Sequence, residues 1–424
     1  MAPRLTKPNA TANELVDVMT LDGEQPTNGK GETKPYFTSI SYFPDGKQMV
    51  TASSDNSARR WDLEIGEEIV EARFVLEQEV SAVAVSRDSR WVIAGGGDWN
   101  GNHLVELKAY EVDTRKMKTF EGHSDAVSCI DISVDNKLLA SGSFHNTARI
   151  WDLNTGKLVA GPFECVGSGV GAVQFSQDSK KLAVKSGYLR GCIEVWDIQE
   201  QKLDGRVGKS NSGIWPDSPV FWTTKDRSIV AACNFEDTSE DPRKIYEFDA
   251  STLETVGAPF EAHTGEIRGL ALSFDCDFLA SASQDNTIKL WAFESRQLLV
   301  SFDVHKPRIL ILSPNSRQLA YTTFDGTRVH ICDIPPDILA RLWPEQARCS
   351  VCILTAYIHL LSTNPSFRPL RLNIRTALTH STYVILFFHS SISLILPHYC
   401  SLTRLVILLP CAVSQCFGLL LPDR

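Results

Sequence analysis

Hydrophobic positions in this chain fall in short runs. Between residues 36 and 335, stretches such as 39–43, 49–53 and 58–63, four to seven residues each with β-branched or aromatic content, lie between polar turn clusters. No helical period is sustained over that span, so the pattern predicts short strands joined by tight turns. About four such strands precede each recurrence of an aromatic-acid signature. An all-β repeat architecture follows from the period, and repeats of 40 to 50 residues with four strands are the signature of a propeller blade.

The recurrence can be followed residue by residue. Ser-Gly-Ser-Phe-His-Asn-Thr-Ala-Arg-Ile-Trp-Asp occupies 141–152, Ser-Ala-Ser-Gln-Asp-Asn-Thr-Ile-Lys-Leu-Trp occupies 281–291, and Ala-Ser-Ser-Asp-Asn-Ser-Ala-Arg-Arg-Trp-Asp occupies 52–62. The aromatic position runs Trp61, Tyr110, Trp151, Trp196, Tyr246, Trp291, Cys332, at separations of 41 to 50 residues. A second marker keeps step 16 to 22 residues earlier: Asp45, Asp88, Asp135, Asp178, Asp226, Asp275 and Asn315, each in a tetrad such as Phe-Pro-Asp-Gly or Ser-Val-Asp-Asn. Asp and Asn cap their own turns and tolerate the dihedrals a tight turn needs.

These units resemble WD40 repeats, over roughly residues 15–335. The resemblance implies an all-β, seven-bladed β-propeller of four-stranded antiparallel blades. A single blade cannot bury both of its faces, so blades must stack around an axis. Outer strands are expected at 69–75, 117–120, 158–163, 203–207, 255–260 and 298–304. The seventh is missing after Cys332, where Pro335-Pro336 follows; residues 15–21 are expected to supply it by pairing near His330. The expected division is a flexible arm at 1–14, the propeller at 15–341 and a tail at 342–424.

The resemblance also implies a buried Trp–Ser/Thr–His–Asp network. An indole N–H needs an acceptor when buried. Matched by position, repeat six supplies His263, Ser283, Asp285 and Trp291. Repeat one supplies Ser53, Asp55 and Trp61, with Thr33 at the His spacing. Repeat three supplies His123, Ser143 and Trp151, with His145 at the Asp site. A His–Asp–Ser set also suggests a hydrolase triad, but a Ser committed to a buried indole favours the structural role.

Two further features bear on binding. A basic residue recurs two positions before the aromatic: Arg59, Lys108, Arg149, Lys244, Lys289 and His330, with Glu194 the exception. This is either a ring of cations for an acidic ligand or a set of aliphatic stems packed against the next blade, and the second reading is preferred. The loops between second and third strands carry Trp99, Phe144, Tyr188, Phe235 and Phe324, with Glu236, Asp237, Glu240 and Asp241 forming an acidic lip. Aromatics in loops on a rigid scaffold are either candidate partner-binding anchors or side chains packed against adjacent loops, and the sequence leaves both readings open.

Composition narrows the class. The chain has 424 residues, 43% hydrophobic and 22% charged, enough to bury a core. Its net charge of −9 argues against a general nucleic-acid binder. Eleven cysteines over this length do not form a disulfide scaffold, and the polar first 30 residues show no secretory signal, so an intracellular protein, cytoplasmic or nuclear, is expected. Residues 347–422 differ from the rest: they lack Lys, Asp and Glu, and hold five of the eleven cysteines. Runs at 383–396 and 405–421 are short and interrupted for spanning a bilayer. The tail is expected to be an unstructured extension, of the kind a frameshift or read intron produces, with a membrane anchor as the alternative.

The functional expectation is a non-enzymatic scaffold that binds protein partners through propeller loops, without cofactor, metal, nucleic acid or small-molecule substrate. One alternative is a membrane-tethered adaptor that uses the tail. Another is an enzyme with a central-channel site, but the expected innermost strands carry a single carboxylate, Asp131, and no His.

Overall fold

Each repeat builds one antiparallel sheet because its tight turns reverse the chain over four strands. The computed structural model describes residues 15–23, 35–98, 104–167, 169–187, 192–208, 218–233, 243–324 and 327–342, together with three short strands further on. Seven sheets form a β-propeller. From the inner strand outwards, blade one is Phe37–Tyr42, Gln48–Ser53, Ser57–Asp62 and the split pair Glu67–Glu68 and Phe74–Val75. Blade three is Val127–Ile132, Leu138–Ser143, Thr147–Asp152 and Leu158–Glu164; blade six is Ile267–Leu272, Phe278–Ser283, Thr287–Ala292 and Gln297–Asp303.

Blade seven is composite. Its first three strands are Pro307–Leu312, Gln318–Thr323 and Arg328–Asp333, and its outer strand is Asp17–Asp22 from the other end of the propeller sequence. Thr20 lies opposite His330 in an antiparallel register. Leu21 is fully buried, in a cluster with Phe37, Ile40 and Trp61 of blade one and Val329 and Ile331 of blade seven. Asp17 accepts from His330 Nδ1 at 2.9 Å and from the Cys332 thiol at 3.1 Å. The edge that blade seven would otherwise expose is thereby paired.

The second strand of a blade is sandwiched between neighbours on both faces. Phe278–Ser283 and Ser228–Cys233 are buried along their whole length. Outer strands alternate instead, as in Lys202–Val207, because one face meets solvent. Apolar clusters bridge successive blades: Ile150 and Phe163 of blade three with Val173 and Leu182 of blade four, for example.

The turns between inner and second strands close alike. The N–H at position four donates to the carbonyl at position one, as in Gly46 to Phe43 (2.9 Å) and Cys276 to Ser273 (2.9 Å). Position four has φ between 53° and 68° in all seven blades. A serine at position one donates to the Asp or Asn at position three, as from Ser133 to Asp135 and from Ser273 to Asp275, both 2.7 Å. Blade five corrects the sequence register by one residue: Asp226 occupies position four, not three, with φ 53°. Asp tolerates that left-handed conformation, and its carboxylate accepts from Gln177 N and Asp178 N of blade four.

Two expected outer strands are interrupted. In blade one Ala58 faces Phe74 and Trp61 faces Glu68, so the outer chain has three surplus residues, which leave the sheet as a 3-10 turn at Val70–Ala72. In blade five Phe248 faces Thr255 and Ile245 faces Phe260. The excess bulges at Gly257 (φ 65°), where Arg296 donates to Val256 O and Ala258 O.

The chain beyond the propeller forms a separate unit, Leu339–Arg424. Within it Tyr383–Phe388, Ile392–Pro397 and Val406–Leu408 pair as an antiparallel sheet. Among the described residues no helix is long and apolar enough to cross a membrane. The arm 1–14 lies outside the described residues.

Ring closure is testable. Deleting residues 1–22 should lower the melting temperature sharply, and Leu21→Ala alone should cost about 2–5 kcal/mol in chemical denaturation. Unchanged melting after the deletion would refute closure by this strand.

Candidate functional site: buried anchors and the loop face

In blade six the Trp291 indole donates to Ser281 Oγ at 2.9 Å, and His263 Nε2 lies 2.7 Å from the same oxygen. His263 Nδ1 bonds Asp285 Oδ2 at 2.9 Å; Asp285 also accepts from Thr264 N at 3.0 Å and from the Thr287 hydroxyl at 2.6 Å. The serine is therefore Ser281 and not Ser283, whose hydroxyl accepts from Asp285 N at 3.1 Å. Register explains the correction. Trp291 faces Leu279 across the sheet, so Ser281 is two residues along the partner strand and Ser283 four. At about 3.4 Å per residue the nearer hydroxyl alone is within reach of the indole.

The same two-residue correction holds elsewhere. Trp61 donates to Thr51 Oγ1 (2.9 Å), not Ser53, and Trp151 to Ser141 Oγ (2.8 Å), not Ser143. Ser143 instead donates to Asp125 O, and Ser53 accepts from Asp55 N. In blade three His123 Nε2 reaches Ser141 at 2.7 Å, and its Nδ1 meets His145 Nε2 at 2.8 Å. Val184 stands at the corresponding serine position of blade four, and the Trp196 indole nitrogen is buried without a partner. Thr33 lies outside the described residues.

Burial pushes the His263 imidazole below its ordinary pKa despite the bond to Asp285, and pushes His123 down to about 3, helped by His145 and Arg149. Burial opposes ionisation of Asp285, but bonds from Thr287, His263 and Thr264 N outweigh it and hold its carboxyl low.

The recurring cations are mostly spent inside their blades. Arg59 is 2% exposed and ion-pairs with Asp55. Lys108 meets Glu106 at 2.6 Å, Lys244 meets Glu261 at 3.1 Å, and Lys289 donates to Thr287 and Ser301 at 3.0 and 3.1 Å. In blade four the signs exchange, with Glu194 facing Arg206 at 3.1 Å. Burial raises the Glu194 pKa. Arg149 is the departure from this pattern.

At the end of the strands where second-to-third-strand loops and inner-strand starts meet, Phe324 is 53% exposed. The guanidinium of Arg268 lies 5.2 Å from its ring centroid and that of Arg308 5.7 Å; Arg308 is also 5.6 Å from the Tyr36 ring. Arg268 is ion-paired with Glu266 at 3.0 Å. Arg308 has no carboxylate partner among the described residues. Sequence reasoning missed Arg268, Arg308 and Tyr36 because it scanned inner strands for acids and His. Phe144 is only partly exposed and lies over Gly169 of blade four, where an added Cβ would be 3.3 Å from its ring. Trp99, Tyr188, Phe235, Glu236, Asp237, Glu240 and Asp241 fall outside the described residues. Asp131 accepts from Phe175 N of blade four at 2.7 Å, which engages the inner-strand carboxylate as an inter-blade tie; burial raises its pKa to about 6.

Three segments, residues 24–62, 114–152 and 254–292, match the family described as WD domain, G-beta repeat. The seven four-stranded blades form a β-propeller in which these three segments match the WD40 repeat. It is similar to Autophagy-related protein 16 of Arabidopsis thaliana, 24% identical over 62% of this chain and 48% of that protein. It is similar also to Target of rapamycin complex subunit wat1 of Schizosaccharomyces pombe, 24% identical over 62% of this chain and 80% of that protein. With Eukaryotic translation initiation factor 3 subunit I of Bombyx mori it shares 27% identity over 47% of this chain and 59% of that protein. The chain thus spans about half the length of the first of these relatives.

Two outcomes are expected. Ser281→Ala orphans the Trp291 N–H and should cost about 1–3 kcal/mol, against about 1 kcal/mol or less for Ser283→Ala, measured by chemical denaturation. A larger loss at Ser283 would contradict the network. Secondly, His123 and His263 have folded pKa values below their unfolded ones, so protons favour the unfolded chain as pH falls below about 6.5. The melting temperature should decline from pH 7.5 to pH 5, and His123→Gln should flatten that decline; a flat wild-type profile would count against neutral buried imidazoles.

Proposed function

We propose that this propeller is a non-enzymatic protein-interaction platform, and that partners dock on the loop face at blades six, seven and one. The carrying observation is Phe324, half-exposed with Arg268 and Arg308 against its ring and Tyr36 beside Arg308. Aromatic and Arg side chains held on a rigid frame are the usual anchors of protein interfaces. The ring spares a partner the cost of ordering these groups. The names of two relatives, subunits of a target of rapamycin complex and of translation initiation factor 3, support a role in assemblies. The same proposal places the protein inside the cell, in keeping with six free thiols among the described residues.

The test compares affinity capture from native lysate by the wild type, a Phe324→Ala/Arg308→Ala double variant and Phe274→Ala. Phe274 is 73% exposed in a turn at the opposite end of the strands, so it controls for exposed aromatics in general. Prey proteins should be lost from the double variant and kept by the control. Identical prey sets from all three would refute the loop-face reading.

A further inference from the structure

Blade three breaks a rule that the rest of the ring keeps. In blades one, two, five, six and seven the side chain two residues before the aromatic position meets a carboxylate or hydroxyl group of its own sheet: Asp55, Glu106, Glu261, Thr287 with Ser301, and Asp17. Blade four keeps the pairing with the charges exchanged. Arg149 makes no hydrogen bond or ion pair with any described residue, and its Nε is buried without a partner. Burial lowers its pKa.

Two local changes produce this. His145 stands where blade one has Asp55, the partner of Arg59, so the acid that would face the cation is gone. The outer strand also slips: Ala148 faces Phe163 and Ile150 faces Ala160, which leaves Gly161 and Pro162 beside Arg149 with no side-chain acceptor. Glu164 is exposed and lies opposite Thr147, and Asp125 uses its carboxylate on Ala126 N.

The guanidinium is nevertheless held in place. It rests on Gly122, where an added Cβ would come within 2.6 Å of Nη1 and 3.0 Å of the Trp151 ring, so the bare backbone of this turn is what seats it. His123 and His145 stand beside it as a hydrogen-bonded pair, both pushed by burial toward the neutral form. Thr147 Oγ1 lies 3.1 Å from His145 Nδ1. The result is a fixed, partly buried cation with two imidazoles and a hydroxyl for neighbours and no carboxylate bonded to it among the described residues. Guanidinium groups bind carboxylate and phosphoryl oxygens with paired, charge-assisted N–H···O bonds.

We propose that Arg149, with His145 and Thr147 beside it, binds an oxyanion, a carboxylate or phosphoryl group, in place of the carboxylate that blade one supplies from its own chain. The site is in blade three, away from the Phe324 patch, so it stands or falls separately from the loop-face reading.

The experiment follows the Arg Nε–H resonances of the isotope-labelled full chain during titration at constant ionic strength and pH. The probes are inorganic phosphate, a phosphoserine peptide, and the same peptide with Glu in place of phosphoserine. One Arg resonance, absent from Arg149→Gln, should shift saturably in the wild type. His145→Asp completes in blade three the arrangement that His263 and Asp285 make in blade six. It also puts back the acid that pairs with Arg59 in blade one, so it should abolish the saturable shift while raising the melting temperature, which separates loss of the site from loss of the fold. A peptide that binds at least about tenfold more tightly than phosphate assigns the anion to a polypeptide, and equal affinity assigns it to a free ion. No saturable shift with any probe, or an undiminished shift in His145→Asp, would overturn the proposal.

Discussion

A four-stranded sheet has two apolar faces and two edges to hide, and no blade of this protein can hide them alone. The second strands are buried on both sides because a neighbouring blade covers each face. The outermost position of blade seven is filled from the opposite end of the propeller sequence by Asp17–Asp22. Burial of a side chain such as Leu21 contributes about 1.5–3 kcal/mol, and the strand that carries it also satisfies a row of backbone groups. Closure of the ring is thus the condition for each sheet to persist. The fixed positions of the loops at either end are its consequence.

Within that frame the polar anchors are unequal. Blade six has the full Trp291–Ser281–His263–Asp285 chain, blade three replaces the acid with His145, and blade four loses the hydroxyl to Val184 and leaves the Trp196 indole unpartnered. An unsatisfied buried N–H costs about 1–3 kcal/mol. Apolar packing between blades three and four, through residues such as Phe163, Phe175 and Leu182, is large enough to absorb a loss of that size. Because blades are stabilised by their neighbours, individual anchors can vary. That variation leaves Arg149 without a carboxylate in a ring where such cations are otherwise paired.

Blade count, six of the seven turn tetrads and the pairing of residues 15–21 near His330 were legible because each depends on local pattern: strand alternation, Asp and Asn turn chemistry, and the need to cover an edge. The sequence by itself also determined which blades hold a His or an Asp at the anchor positions. What it did not determine was which serine receives the indole, since Ser281 and Ser283 differ only in distance along a paired strand. The surplus residues that fold out of the outer strands at Val70–Ala72 and near Gly257 were hidden for the same reason: they are defined by a count across two strands. The meeting of Tyr36, Arg268, Arg308 and Phe324 and the isolation of Arg149 were decided by the tertiary structure alone. Local propensity acts within a few residues, whereas these juxtapositions are set by the angle at which one sheet leans on the next.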